Sequence, residues 1–185
     1  MSAADVAQAA FLVGAICRIG MAAILAQSAW HGLRDVPAHA AALAGYRLLP
    51  ASLVPVAAWV LPILTLAAAL LLIVPASAAA GAALGAALML LFTGAIWINL
   101  RRGRMHIDCG CGGAQGQHIS RSLVVRNIVL LAVLASAFAS PATGALDGAS
   151  LICMAGGAAS FSALYFTANQ LIANRAAFRA AGEGA

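Results

Sequence analysis

The chain contains no lysine and only five acidic residues among its 185. Charged side chains make up 8% of it, where a soluble domain carries about 25%. That shortage excludes a soluble globular enzyme. Disorder is excluded as well, because 64% of the residues are apolar. Without lysine there is no Schiff-base chemistry, and no hydrolytic triad or acid pair is placed for general acid–base work. The ten arginines give a formal charge of +5. They lie in the gaps between apolar runs, which is not the clustered footprint of a nucleic-acid-binding surface.

What is present is hydrocarbon. Five runs are long enough to span a bilayer: about residues 6–32, 52–74, 78–100, 123–140 and 148–172. Roughly 20 residues at 1.5 Å per residue cross a hydrocarbon core of about 30 Å. The fourth run yields only about 27 Å of helix and should stand nearly upright. The expected fold is therefore an all-α, polytopic membrane helix bundle of about five transmembrane helices, forming a single integral membrane domain over residues 1–185. The leader Met1-Ser2-Ala3-Ala4-Asp5 has an acid and no basic residue, so the first run reads as a retained helix rather than a secretory signal. Asp5 and Asp147 are placed to complement the N-terminal ends of the first and fifth helices.

Charge sets the expected orientation. With five spans, one membrane face receives the 33–51 and 101–122 loops and the C-terminal tail. It collects nine arginines (34, 47, 101, 102, 104, 121, 126, 175 and 179), and the opposite face collects none. The positive-inside rule then puts these loops in the cytoplasm and the N-terminus on the outer side of the membrane. The tenth, Arg18, lies inside the first helix.

Small residues anticipate close packing: Gly81 and Gly85 form a GxxxG in the third helix, and Gly156, Ser160 and Ala163 line the fifth. Pro62 should kink the second helix, whereas Pro55 suits its first turn. Asp35 and Pro37 can start a short helix lying in the interface, which Gly45 and Pro50 would end. Trp30, His31 and Arg34, like Trp97, Asn99 and Arg101, read as interfacial anchors.

The chemistry concentrates in the 101–122 loop, which holds Cys109-Gly110-Cys111, His106, His118 and three arginines. One reading is a thiol–disulfide pair. Glycine between the two cysteines permits the dihedrals that so small a ring needs, and the strained bond would be easily reduced. Neighbouring arginines favour thiolate, while Asp108 opposes it. A second reading is zinc held by His106, Cys109, Cys111 and His118, a tetrahedral set in kind, although C-x-C is tighter than the usual spacing. A third is two inert, reduced thiols in a cytoplasmic loop.

Cys17 and Cys153 lie within the membrane, about 15 Å and about 9 Å of helix from the outer ends of their segments. If the first and fifth helices are neighbours, these sulfurs can form a second, redox-linked pair; otherwise each is a small buried hydrophobe. Arg18, beside Cys17, is an intramembrane charge that must face the bundle or a polar cavity. It is a candidate polar site or a packing hydrogen bond.

The loop Arg-x-Gly-Arg-x-x-Ile-Asp-Cys-Gly-Cys between apolar helices resembles the methylamine-utilisation MauE family, related to the DoxX-like membrane proteins. Tyr46-Arg47-Leu48-Leu49-Pro50 and Leu61-Pro62 resemble it too, so that the likeness runs from about residue 12 to 140. Two positions depart from it: Gly112 stands where members commonly have an aromatic residue, and Thr65 where many have Glu. The resemblance implies a maturation factor for the disulfide-rich small subunit of periplasmic methylamine dehydrogenase, working with a periplasmic thioredoxin-like MauD-type partner. It implies Cys109 and Cys111 as the exchanging pair, with any catalysis being thiol–disulfide exchange and with no resident cofactor. The alternatives are a non-catalytic assembly scaffold ordered by zinc and a quinone-coupled oxidoreductase of the DoxX-like type.

Overall fold

The computed structural model describes residues 2–105, 107, 109, 118–139 and 144–182, the side chains of 138, 139 and 175–182 excepted. Every element among them is helical: α1 (Ala3–Arg34), α2 (Val36–Tyr46), α3 (Val54–Ile73), α4 (Ala78–Arg101), α5 (Arg121–Ala139) and α6 (Gly148–Gly182). Single 3-10 turns, Ala51–Leu53 and Pro75–Ser77, lead into α3 and α4. The last helix, α6, runs ten residues past the expected end at 172.

Local chemistry sets the helix ends. At the start of α1, Ser2 and Asp5 form a reciprocal capping box: Ser2 N–H donates to the Asp5 carboxylate at 2.7 Å, and Asp5 N–H donates to Ser2 Oγ at 3.2 Å. Asp35 Oδ1 accepts from Ala38 N–H at 3.0 Å, and Pro37 occupies the first turn of α2, as its sequence suggests. The end of α2 differs from expectation. It runs through Gly45 to Tyr46 and stops because Arg47 takes the left-handed conformation, φ 48°, with its N–H donating to Ala44 C=O at 3.1 Å. The helix of α3 continues unbroken through Pro62.

Four helical stretches among the described residues are long and apolar enough to cross a membrane: Ala3–Arg34, Ala51–Ile73, Pro75–Arg101 and Gly148–Asn174. The 19-residue α5, about 28 Å long, packs against α1 and α4 beside them. The bundle is apolar inside and out. Its centre joins Met21 and Leu25 of α1, Ala68 and Leu72 of α3, Met89 of α4 and Leu134 of α5. Its exterior shows Trp59, Ile63, Leu70, Leu90, Val129, Ile152 and Leu164. A helix apolar on every face needs an apolar solvent, so the chain is a multi-pass membrane protein.

Glycine serves this packing selectively. A Cβ at Gly81 would stand 2.6 Å from Leu72 N, so only glycine lets α4 fold back against the end of α3. On α6 the close approach is at Gly157, where a Cβ would meet Ile16 Cδ1 at 2.6 Å. The anticipated stripe of Gly156, Ser160 and Ala163 is exposed instead, because Met154, Ala158 and Phe161 carry the inward face.

Candidate functional site

The ends of α1, α2, α4 and α6 and the starts of α3 and α5 meet at one end of the bundle, which presents the Cys109 loop. The chain leaves α4 through a Schellman closure. Gly103, φ 72°, donates to Leu100 C=O, and Arg104 N–H donates to Asn99 C=O at 3.0 Å. The flanks of the loop then come back together, Ile119 N–H donating to Ile107 C=O at 2.9 Å.

Cys109 is 6% exposed and packs among Tyr46, Ile96, Ile119 and Leu123, with Ile107 and Ile172 against the same cluster. The Tyr46 hydroxyl donates to the Cys109 carbonyl at 3.1 Å. Residues of α2, α4, α5 and α6 thus hold the first cysteine at the edge of the bundle, rather than leaving it on a solvated loop. Asn99, wholly buried, donates through Nδ2 to Ala95 C=O at 3.1 Å, and its Oδ1 has no hydrogen-bond partner among the described residues. Arg104 Nη1 is likewise buried without one. Arg101 stacks over the Trp97 ring at 5.2 Å, as an interfacial anchor would.

Cys111 and His106 lie outside the described residues. His118 is described and exposed. Only two of the four residues of the zinc reading are therefore placed, and among the described residues no group of three His, Cys, Asp or Glu side chains is gathered for a metal.

The membrane cysteines are placed separately. Helices α1 and α6 do pack together, yet Cys17, half-buried, approaches Ser136 of α5, with Sγ···Oγ 4.0 Å, and Cys153 is exposed on α6. No disulfide joins them. Arg18 is 9% exposed, and no hydrogen bond or ion pair joins it to the described residues.

Two features escaped the sequence reading. The first is a polar cluster between α4, α5 and α6. Arg126 donates through Nη1 to Asn169 Oδ1 at 2.6 Å and through Nε and Nη2 to Asn127 Oδ1 at 3.1 and 2.9 Å, and its guanidinium stands 5.8 Å from the Tyr165 ring centroid. Asn127 Nδ2 in turn donates to Thr93 Oγ1 at 3.1 Å. Counted by sequence among the loop charges, Arg126 sits inside α5. Eight arginines still face none across the bundle. The signal was available in the polar pair Arg126-Asn127 interrupting an apolar run. The second feature is a cavity of about 390 Å³ between α2, α3 and α4, with Cys109 in its wall.

The family profile described as "Methylamine utilisation protein MauE" matches residues 10–140. The chain is 39% identical over 154 residues to methylamine utilization protein MauE of Paracoccus versutus, covering 82% of each chain. It is 38% identical over 127 residues to that of Paracoccus denitrificans, covering 68% of each. The match to MauE of Methylophilus methylotrophus is 42% over 91 residues, 49% of this chain, and spans about half of that relative, 48%. No solved structure matches. A profile match over most of the chain, with likenesses that cover two thirds or more of two relatives, has one meaning: the chain belongs to the methylamine utilisation protein MauE family.

Proposed function

We propose that this member of the methylamine-utilisation system is a thiol–disulfide carrier of the bacterial inner membrane. It serves maturation of the methylamine dehydrogenase small subunit together with a thioredoxin-like, MauD-type periplasmic protein. The observation that carries the reading is the placement of Cys109, buried at the bundle edge with its carbonyl held by Tyr46 and separated from Cys111 by one glycine. A thiolate of the pair attacks a partner disulfide, a mixed disulfide forms, and the second cysteine displaces the partner as a dithiol. Two electrons pass to the partner and the loop becomes Cys109–Cys111 disulfide.

With five spans taken from the apolar runs, the arginine distribution supports a periplasmic N-terminus and a cytoplasmic loop. In that orientation the carrier hands reducing equivalents across the membrane, so that wrongly paired disulfides of the client can be reshuffled. A reporter fused after Gln115 tests the side. Periplasmic activity there replaces the transmembrane relay with direct exchange with the partner.

Thiol trapping in intact cells tests the carrier itself. The expected result is a mixed population at Cys109 and Cys111 that shifts when the periplasmic partner is deleted. A fully reduced pair, indifferent to the partner and holding stoichiometric zinc that is lost in His118→Ala, would make the protein a scaffold instead.

A further inference from the structure

We propose that the cavity beside Cys109 seats an acyl chain of an anionic bilayer phospholipid, whose phosphate is held by Arg47, Arg101 and Arg102 at its mouth. The bound lipid covers Cys109, and it does so whether or not that cysteine exchanges disulfides. At about 390 Å³ the cavity is of small-molecule size, within the roughly 300–1,000 Å³ of ligand pockets.

Its position along the bundle matches one leaflet. On α4 the wall runs from Leu90 to Ile98, about 12 Å of helix. Leu90 stands about 17 Å, and Ile98 about 5 Å, from the Arg101 that ends the helix. Half of a hydrocarbon core is about 15 Å thick, so the cavity reaches from the interface to the bilayer middle. The leaflet is the one on the side of the Cys109 loop, whichever face of the membrane that is.

The wall suits a hydrocarbon chain. Leu43, Leu61, Pro62, Phe92 and Ala95 line it. Two of its polar residues spend their hydroxyl protons within the chain: Thr65 donates to Leu61 C=O at 2.8 Å, and Tyr46 to the Cys109 carbonyl at 3.1 Å. Rim residues Leu48, Leu49, Leu90 and Leu91 are exposed. Since α3 and α4 are membrane-spanning in length and composition, that rim meets lipid, and a chain enters sideways from the bilayer.

Charge at the mouth selects the head group. Arg47 is exposed and lies between the wall residues Tyr46 and Leu48. It takes the left-handed conformation that ends α2, where glycine is the usual residue, so the turn itself does not call for an arginine. Arg101 and Arg102 follow Ile98 by one turn and continue the cavity-lining face of α4. Stacked on Trp97, Arg101 keeps its edge N–H groups for a phosphate. Three positive charges beside a chain-sized apolar space are complementary to an anionic phospholipid. A zwitterionic lipid would fill the space and gain little from the arginines, because its own cation offsets its phosphate.

The test uses the full-length protein in phosphatidylcholine nanodiscs doped with phosphatidylglycerol. One lipid or the other carries a photoreactive diazirine in its acyl chain, and adducts are mapped by mass spectrometry. Phosphatidylglycerol should label α4 between Leu90 and Ile98 about fivefold or more above phosphatidylcholine, the worth of one arginine beside anionic lipid. On α6 around the exposed Leu164 the two probes should label equally. Arg47→Asn removes the charge and keeps a residue that tolerates the left-handed backbone. It should cut the excess about fivefold, as should the Arg101→Gln, Arg102→Gln protein. Gly94 lines the cavity, and a Cβ there would meet nothing within 4 Å, so Gly94→Phe can fill the space and should suppress wall labelling by both probes. Maleimide should modify Cys109 several times more slowly with phosphatidylglycerol present than without it, and the arginine variants should lose that difference.

Equal labelling of the wall by the two probes would overturn the anionic site. Wall labelling unchanged in Gly94→Phe would put the lipid outside the bundle, and the proposal would fall. An alkylation rate indifferent to phosphatidylglycerol would overturn the covering of Cys109. None of these readouts involves electron transfer, so failure of the thiol–disulfide reading would leave them untouched.

Discussion

Tyr46 and Cys109, 63 residues apart in sequence, are joined by a hydrogen bond from the tyrosine hydroxyl to the cysteine carbonyl, 3.1 Å long and buried. It ties the end of the interfacial helix α2 to the loop that leaves α4. In Tyr46→Phe the ring packing survives and one buried acceptor loses its donor, a change worth about 1–3 kcal/mol locally. Cys109 should then be alkylated several times faster by a maleimide in nanodiscs, with the helical content unchanged. An unaltered alkylation rate would show that the packed cluster around Ile96 and Leu123 holds the cysteine without Tyr46.

The polar cluster around Arg126 makes a second, separable demand. Asn127 and Asn169 are buried, and both direct side-chain oxygens at the guanidinium. Arg126→Leu removes the donor and leaves two amide oxygens facing apolar surroundings. Hydrogen bonds between membrane helices contribute about 0.6–1.7 kcal/mol each, so a loss on the order of 2 kcal/mol is expected in thermal or denaturant unfolding in mild detergent. Combining Arg126→Leu with Asn169→Leu should recover part of it, because the unsatisfied acceptor goes as well. A double variant less stable than Arg126→Leu alone would contradict this account.

How much of this could be read from residues alone varies along the chain. The five apolar runs, the short helix after Asp35 and the loop carrying Cys109 follow from hydropathy, capping residues and glycine placement, all local properties. Which face of a helix turns inward does not. Uniformly apolar segments have almost no pattern to distinguish core from lipid, so Gly81 and Gly156 look equivalent in sequence and are opposite in the bundle. Burial of Cys109, its bond to Tyr46 and the cavity between α2, α3 and α4 depend on contacts between distant segments. Arg126 was miscounted for a simpler reason: it lies inside the expected fourth run, 123–140, but within a turn of that run's start, and was grouped with the loop arginines.

That contrast between glycines gives a direct prediction. Gly81→Val should push α4 from the α3 backbone, costing about 1–3 kcal/mol or more, since a Cβ would collide with main-chain rather than side-chain atoms. Gly156→Ala faces open space and should leave stability within about 0.5 kcal/mol of the parent. Both are read by unfolding in the same detergent. Equal effects would mean that the small-residue stripe of α6 packs against something after all.

At the opposite end of the bundle, Asp147 caps α6. Its carboxylate accepts from Ser150 N–H at 2.8 Å, and hydrogen bonding by the Ser150 side chain, then by its backbone, holds the acid below the ordinary carboxylate range. The folded-state value is the depressed one. The cap therefore contributes fully above the ordinary carboxylate pKa and is lost as pH falls through the lower, folded value. Amide exchange at the first turn of α6 should rise across that acidic window, and Asp147→Asn, which keeps an acceptor and cannot titrate, should abolish the dependence. A pH-dependence surviving in Asp147→Asn would assign it to another group.

The membrane cysteines supply the last prediction. A redox link between Cys17 and Cys153 requires Cys17 to turn from Ser136 on α5 towards α6, where Cys153 is exposed on the outer surface. From this arrangement, a small membrane-permeant alkylating reagent should modify Cys153 before Cys17. The oxidised fraction of the Cys109–Cys111 pair in cells should be the same in a Cys17→Ser, Cys153→Ser protein as in the parent, because a thiol facing lipid has no protein partner to take its electrons. A shift in that fraction would instead establish a second pair, and electron flow along the bundle would have to pass through a conformation in which α1 has rotated about its axis against α6.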